Sequence, residues 1–177
     1  MLAALAGCGA GGPSPEEQAK GERAAERAAE QRAEERAAKR AAERAAAQRA
    51  AQLRVFRQCE QQMAPLLDAL SEVDSRLDTG LTNPDYGTAL GDVSVEYNKL
   101  ELDRLSDQCV DEVGVALEDA FNAYIEAGNR WDRCIEDTYC DVDLDALPQM
   151  RRQWSKASDL IADARSGLEG LDPRKAR

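Results

Sequence analysis

Four cysteines in the last two thirds of the chain are the residues best suited to covalent chemistry: Cys59, Cys109, Cys134 and Cys140. They show no Cys-x-x-Cys spacing and the chain has no histidine, so the pattern favours neither a zinc site nor a thioredoxin-like exchange centre. In an oxidising compartment an even set of four cysteines indicates two disulfide bonds, which can form in three pairings. The choice among them depends on the elements that carry the cysteines.

Carboxylates crowd the segment around the last two cysteines, which contains Glu136, Asp137, Asp141, Asp143 and Asp145. The spacing Asp141-x-Asp143-x-Asp145 resembles the start of a calcium-binding loop. Such a loop requires a turn-forming glycine at its sixth position and a bidentate glutamate at its twelfth, but these positions hold Ala146 and Arg152. We therefore expect the acids to complement the dipole at the start of a helix, with calcium binding as the alternative.

The absence of histidine removes the common catalytic designs from consideration. Neither a Ser-His or Cys-His dyad nor a Glu-x-x-His iron site nor a zinc-protease motif can be built. A pair of carboxylates could in principle support glycoside hydrolysis, but a close-packed helical bundle offers no evident cleft to orient them. We expect a protein that is not an enzyme and has no cofactor.

Residues 1–8 end in Leu5-Ala6-Gly7-Cys8, which resembles the lipobox of bacterial lipoproteins. The resemblance implies that Cys8 carries the lipid, including palmitate-type acyl chains, and that the protein is anchored to the cell membrane outside the cytoplasm. The following stretch, Gly-Ala-Gly-Gly-Pro-Ser-Pro, is the small-residue linker that such an anchor needs. Since a working signal requires a basic leader and a longer apolar run than precede Cys8, we expect the true start to lie upstream.

Charge divides the chain into two parts. Residues 1–57 hold 11 basic and 8 acidic side chains, whereas residues 58–177 hold 12 and 26. The acidic part would repel phosphate backbones, which excludes nucleic-acid binding, while the weakly basic part could approach anionic lipid or polymer. No run of 18 apolar residues occurs, so the sequence predicts no membrane-spanning helix.

The segment after the linker predicts a long single helix. Ser14 can cap its start, Pro15 suits the first helical position and Glu17 completes a capping box. From there to residue 52 the chain repeats Glu-Arg-Ala-Ala with variations, which combines strong helix formers with opposite charges on neighbouring turns. Alanine recurs every four residues from 25 to 45, so its stripe drifts by roughly 40° per step and winds around the helix. A solvent-exposed stalk is favoured, with self-association or packing onto the rest of the chain as alternatives.

Heptad spacing of apolar residues begins at Phe56 and predicts a helix that needs partners. The seam comprises Phe56, Cys59, Met63, Leu66, Leu70, Val73 and Leu77. Pro65 interrupts it without changing its phase, which favours a kink over a break. Gly80 ends this helix, and Asn83 with Pro84 at the first position starts the next.

Two arrangements fit the sequence between residues 84 and 137. Apolar residues follow one face up to Leu100 and a shifted face from Leu105 to Ile135, with no glycine or proline near the phase slip at Ser106. We favour one long kinked helix from about Pro84 to Asp137, with two helices joined near Ser106, and hence a four-helix bundle, as the alternative. Trp131 and Trp154 lie on apolar stripes, which indicates core packing.

The last helix is expected to begin near Asp145 as cap and to stop at Gly170. With three amphipathic segments, an up-down bundle is the natural way to bury their seams. Reversal near Leu81 then places Cys59 opposite Cys109, and unwinding after Asp137 lets Cys134 reach Cys140. This is the pairing that we favour.

Together these features predict an all-α protein with a long alanine- and charge-rich N-terminal helix leading into an antiparallel bundle. The expected domains are residues 1–14 as residual signal and linker, 15–52 as stalk, 53–172 as disulfide-stapled bundle, and 173–177 as a disordered tail. We expect an envelope lipoprotein that acts as a structural or protein-interaction module, bound to the membrane by its lipid and to an envelope protein or polymer. A ligand- or calcium-binding lipoprotein is the alternative.

Overall fold

A computed structural model describes residues 14–175 of the chain, and this range is all-helical with no strand. Cys8, the predicted lipid-attachment residue, lies outside the described residues. Five α-helices make up the structure: α1 (Pro15–Thr79), α2 (Asn83–Asn98), α3 (Asp107–Cys109), α4 (Val115–Glu136) and α5 (Leu147–Gly170). The chain therefore has the predicted architecture of one long N-terminal helix followed by packed helices that form a bundle.

The chain divides into two units between Gln48 and Arg49. In the first unit the described residues are helical from Pro15 onwards, and nearly all of their side chains are exposed. Ser14 starts the helix with the predicted capping box, because its Oγ accepts a hydrogen bond from the Glu17 N–H and its own N–H donates to the Glu17 carboxylate. The Glu17 carboxylate accepts hydrogen bonds from both the N–H and the hydroxyl of Ser14, and these bonds lower the pKa of Glu17 below its ordinary value of 4.5.

The second unit contains the end of α1 and all later helices. The predicted seam of α1 is buried from Phe56 to Val73, and the helix continues through Pro65. Gly80 ends α1 with a φ of 92°, a conformation that only glycine adopts without strain. Thr82, and not the predicted Asn83, caps α2, since its Oγ1 accepts a hydrogen bond from the Asp85 N–H. Asn83 is the first helical residue.

The favoured prediction of one helix from about Pro84 to Asp137 is wrong. α2 ends at Asn98, a 3₁₀ turn spans Leu102–Arg104, and Ser106 caps α3 by accepting a hydrogen bond from the Cys109 N–H. The missed signal was the capping ability of Ser106, which starts a helix without help from glycine or proline. The alternative with four helices in the bundle is the observed one.

α3 continues into α4 through a π-helical segment, Val110–Gly114, with helical backbone at both junctions. Two hydrogen bonds between helices show in which direction the helices run relative to one another. Asn83 at the start of α2 bonds Asp132 near the end of α4, and Asp74 near the end of α1 bonds Ser158 in the first half of α5. The four long segments therefore alternate up, down, up and down, as the short connections predict.

The start of the last helix also differs from the prediction. Asp141, four residues before the expected cap Asp145, accepts hydrogen bonds from the N–H groups of Asp143 and Leu144. A π-helical turn, Val142–Ala146, then leads directly into α5. Asp145 instead accepts a hydrogen bond from the Asp141 N–H, so the side chains of both aspartates stabilise this turn.

The C-terminal segment folds against the bundle after α5. Asp172 is buried, and its carboxylate accepts three hydrogen bonds from Arg174: from the backbone N–H at 2.9 Å, from Nε at 2.7 Å and from Nη2 at 2.8 Å. The Arg174 guanidinium lies 5.3 Å from the centre of the Phe56 ring. Residues 173–175, expected from the sequence to begin a disordered tail, form a turn that the Lys175 N–H closes by bonding the Asp172 carbonyl.

Candidate interaction site

Both disulfide bonds have the pairing that the sequence predicts. Cys59 on α1 is bonded to Cys109 on α3 with a Cα–Cα distance of 5.6 Å, and both cysteines are buried. Cys134 near the end of α4 is bonded to Cys140 with a Cα–Cα distance of 5.2 Å. The first bond joins two helices of the core, whereas the second closes a short loop at the surface.

Local hydrogen bonds explain why the chain leaves the helix before Cys140. Asp137 follows the last residue of α4 and has extended backbone, as the unwinding predicted after α4 requires. Its carboxylate accepts a hydrogen bond from the Tyr139 N–H at 2.9 Å, and its carbonyl accepts one from the Cys140 N–H at 3.0 Å. Two short-range bonds and a disulfide therefore fix the shape of this loop.

This loop exposes apolar side chains to an unusual degree. Tyr139 is 95% exposed, Leu144 in the following turn is 76% exposed, and Ile135 on the last turn of α4 is 55% exposed. Residues 133–145, which we term the disulfide-loop surface, also carry five acidic side chains and only one basic one. The surface therefore combines an exposed aromatic ring with a net negative charge.

The acids that resemble a calcium loop serve helix initiation in this structure. Asp141 and Asp145 bond backbone N–H groups of their own turn, which is a sufficient role for both carboxylates. Among residues 14–175, no group of three or more acidic or cysteine side chains is arranged to hold a metal ion. Asp143 instead lies on the wall of a groove beside α5.

Trp131 and Trp154 form an aromatic cluster with Tyr86. The ring centres of Trp131 and Trp154 are 6.3 Å apart, and each lies about 6 Å from Tyr86, at 5.9 and 6.1 Å. The Trp154 Nε1–H donates to the Tyr86 hydroxyl at 3.2 Å, which in turn donates to the Tyr124 carbonyl at 2.8 Å. Burial raises the pKa of both tyrosines far above the ordinary value, so they remain hydrogen-bond donors.

Beside this cluster, α1, α4 and α5 leave a groove with a volume of about 610 Å³. Its lining comprises Asp74, Leu77, Asp78, Gly80, Leu81, Trp131, Val142, Asp143, Leu147, Met150, Arg151, Trp154, Ser155 and Ser158. The expectation of a bundle without a cleft is wrong at this point. Asp74 and Ser158 were not predicted as site residues, because polar residues beside a heptad seam look like ordinary surface residues.

No family model, curated protein or solved structure shows a significant match to this chain. Residues 14–175 also include no helix that is long and apolar enough to cross a membrane. The features that bear on function are therefore the disulfide-loop surface, the groove and the sequence motif around Cys8.

Proposed function

We propose that this protein is a lipoprotein of the bacterial cell envelope, anchored to the membrane through Cys8, whose helical bundle is a non-enzymatic protein-interaction module. The helix of the first unit is the spacer. Nearly all of its side chains are exposed, so it needs no partner that would bury them. The partner is a protein or polymer of the envelope. It binds the disulfide-loop surface.

The extracytoplasmic location is supported by the cysteines. All four cysteines within the described range are paired in two disulfide bonds. Such bonds persist in oxidising compartments and are rare in the reducing cytosol of most bacteria. The lipobox-like residues before Cys8 support the same location by an independent route.

The exposure of Tyr139 is the observation that carries the interaction role. A tyrosine ring on a loop already fixed by a disulfide loses little conformational freedom when a partner covers it. Aromatic side chains are also enriched among the residues that dominate binding energy. The surrounding acids call for a partner with basic groups around an apolar recess, since complementary charge speeds and orients the encounter.

Mass spectrometry of the intact protein tests the location. The protein is purified from its native host without reductant, and we expect acyl mass on Cys8 together with a loss of four hydrogens, two for each disulfide bond. A Cys8→Ser variant supplies the control, because it should keep both disulfides and lose the acyl mass. Recovery of unacylated protein with reduced thiols would contradict the proposal.

Site-specific photo-crosslinking tests the interaction. A benzoylphenylalanine placed at position 139 should crosslink one envelope component, and raised salt should weaken the crosslink because opposite charges attract less. The matched control is position 95 on α2, where Val95 is also an exposed apolar residue, at 53%. With the purified partner, Tyr139→Ala should weaken binding by about tenfold or more, and Val95→Ala should not. Equal products from both positions would argue against the disulfide-loop surface.

Light scattering separates the spacer role from self-association of the first unit. A soluble form starting after Cys8 should remain monomeric, and deletion of residues 16–52 should leave it so. An oligomer that dissociates on deletion would show that the alanine stripe, despite its drift around the helix, packs against other copies.

A further inference from the structure

The groove between α1 and α5 has an unequal charge. Three carboxylates line it, those of Asp74, Asp78 and Asp143, against the single guanidinium of Arg151. The rest of its polar lining is uncharged. A ligand that enters this groove is therefore expected to be cationic, because it would otherwise bring further negative charge beside the three acids.

Asp74 is positioned for this role by hydrogen bonds from two different helices. Its Oδ1 accepts one from the Tyr124 hydroxyl at 3.1 Å and another from the Ser158 hydroxyl. Because Tyr124 stays protonated, Oδ1 keeps these donors across the whole physiological pH range. Oδ2 takes no hydrogen bond from the described residues and is the oxygen left to accept one from a ligand.

Aromatic and apolar side chains make up the other walls. Trp131 and Trp154 both line the groove, and indole is the side chain whose face attracts cations most strongly. Leu77, Leu147 and Met150 line it as well and favour an apolar body on the ligand. The volume of about 610 Å³ lies within the range of small-molecule sites.

We propose that this groove binds a small organic cation, a protonated amine attached to a short apolar body. The ammonium group lies against Asp74 and the indoles, and the apolar body lies against the leucines and Met150. The groove adjoins the disulfide-loop surface and shares Val142 and Asp143 with it, but the ligand proposed for the groove is a small molecule and not the envelope partner. Cation binding in the groove can be tested independently of the lipid anchor and of partner binding, because the mass and crosslinking measurements do not depend on the groove.

Intrinsic fluorescence measures the binding directly, since Trp131 and Trp154 are the two tryptophans of the chain. The probe is hexylammonium, titrated into the full soluble protein with both disulfides intact. We expect a saturable change in emission. Hexanol and hexanesulfonate have the same alkyl chain without the positive charge and should bind at least about tenfold more weakly, because they cannot form a charge-assisted hydrogen bond with the Asp74 carboxylate. Equal affinities for the three probes, or no change with any of them, would overturn the proposal.

Three isosteric variants locate the cation. Asp74→Asn keeps the Oδ1 acceptor for Tyr124 and Ser158 but removes the charge, and should weaken binding of the ammonium probe by about tenfold. Asp78→Asn, at an exposed position that no observed contact requires for folding, should weaken it by about two- to threefold. Asp68→Asn is the control, because Asp68 is an exposed residue of α1 that does not line the groove. Unchanged affinity in both Asp74→Asn and Asp78→Asn would refute the assignment even if the probe binds.

Discussion

The indole Nε1–H of Trp154 donates a hydrogen bond to the hydroxyl of Tyr86 across 3.2 Å, which links α5 to α2 through the centre of the bundle. The Tyr86 hydroxyl in turn donates a hydrogen bond to the backbone carbonyl of Tyr124 on α4. The Tyr124 hydroxyl then reaches Asp74 on α1. One chain of hydrogen bonds therefore joins all four long helical segments beside the groove.

Removal of the Tyr86 hydroxyl should break this chain at its middle. In Tyr86→Phe the ring still fills its site, but Trp154 loses its acceptor in a half-buried position, so we expect a loss of about 1–3 kcal/mol in the free energy of unfolding. Urea denaturation measures it. Tyr139→Phe is the matched control and should leave the midpoint unchanged, because Tyr139 is 95% exposed. Equal midpoints for wild type and Tyr86→Phe would remove the network as a source of stability.

The two disulfides should differ in their contribution to stability. Cys59–Cys109 closes a separation of 50 residues and Cys134–Cys140 one of 6. Because a longer closed loop restricts the unfolded chain more, removing the first pair by double alanine substitution should cost roughly 4 kcal/mol and removing the second roughly 2 kcal/mol. Thermal and urea unfolding of the two double variants give the comparison. A larger loss from the short loop would mean that native contacts at the disulfide-loop surface outweigh chain entropy.

Alanine substitutions at two helical glycines should change the stability of the protein in opposite directions. A Cβ at Gly167 on α5 would overlap with the carbonyl oxygen of Glu112, so Gly167→Ala should destabilise the bundle by about 1–3 kcal/mol. Gly91 on α2 has open space at the same position, and Gly91→Ala should stabilise by about 0.5–1 kcal/mol because alanine loses less backbone entropy. Melting temperatures of the pair check both signs. A stable Gly167→Ala protein would show that α5 can move away from Glu112 at little cost.

The carboxylate of Asp172 should make stability depend on pH on the acid side. Hydrogen bonds from Arg174 hold the pKa of Asp172 below its ordinary value of 3.8, so the folded state favours the ionised form. The contribution is therefore complete above pH 3.8 and is lost as pH falls through the lower folded pKa. Carboxyl NMR titration should place the Asp172 midpoint below 3.8, and Arg174→Gln should move it back towards that value. A midpoint that Arg174→Gln leaves in place would assign the shift to another cause.

The sequence predicted those features that depend on neighbours within about two helical turns. The capping box at Ser14 and Glu17 needs atoms three residues apart, and the seam from Phe56 needs only the helical repeat. The cysteine pairing could also be predicted, because a single reversal near Gly80 fixes which cysteines meet. The single helix predicted from about Pro84 to Asp137 was wrong, because Ser106 signals a helix start only when its side chain turns back to the Cys109 N–H.

The groove and its polar network were decided by the tertiary structure alone. Ser158 and Asp74 are 84 residues apart in the chain, and Trp154 and Tyr86 are 68 apart, so no local pattern connects them. Their contact depends on the rotation of each helix about its axis, which the packing of all four segments sets together. The sequence by itself determined that the chain is helical, where its apolar seams lie and which cysteines pair. Only tertiary packing decided which polar residues beside those seams face one another across a cavity.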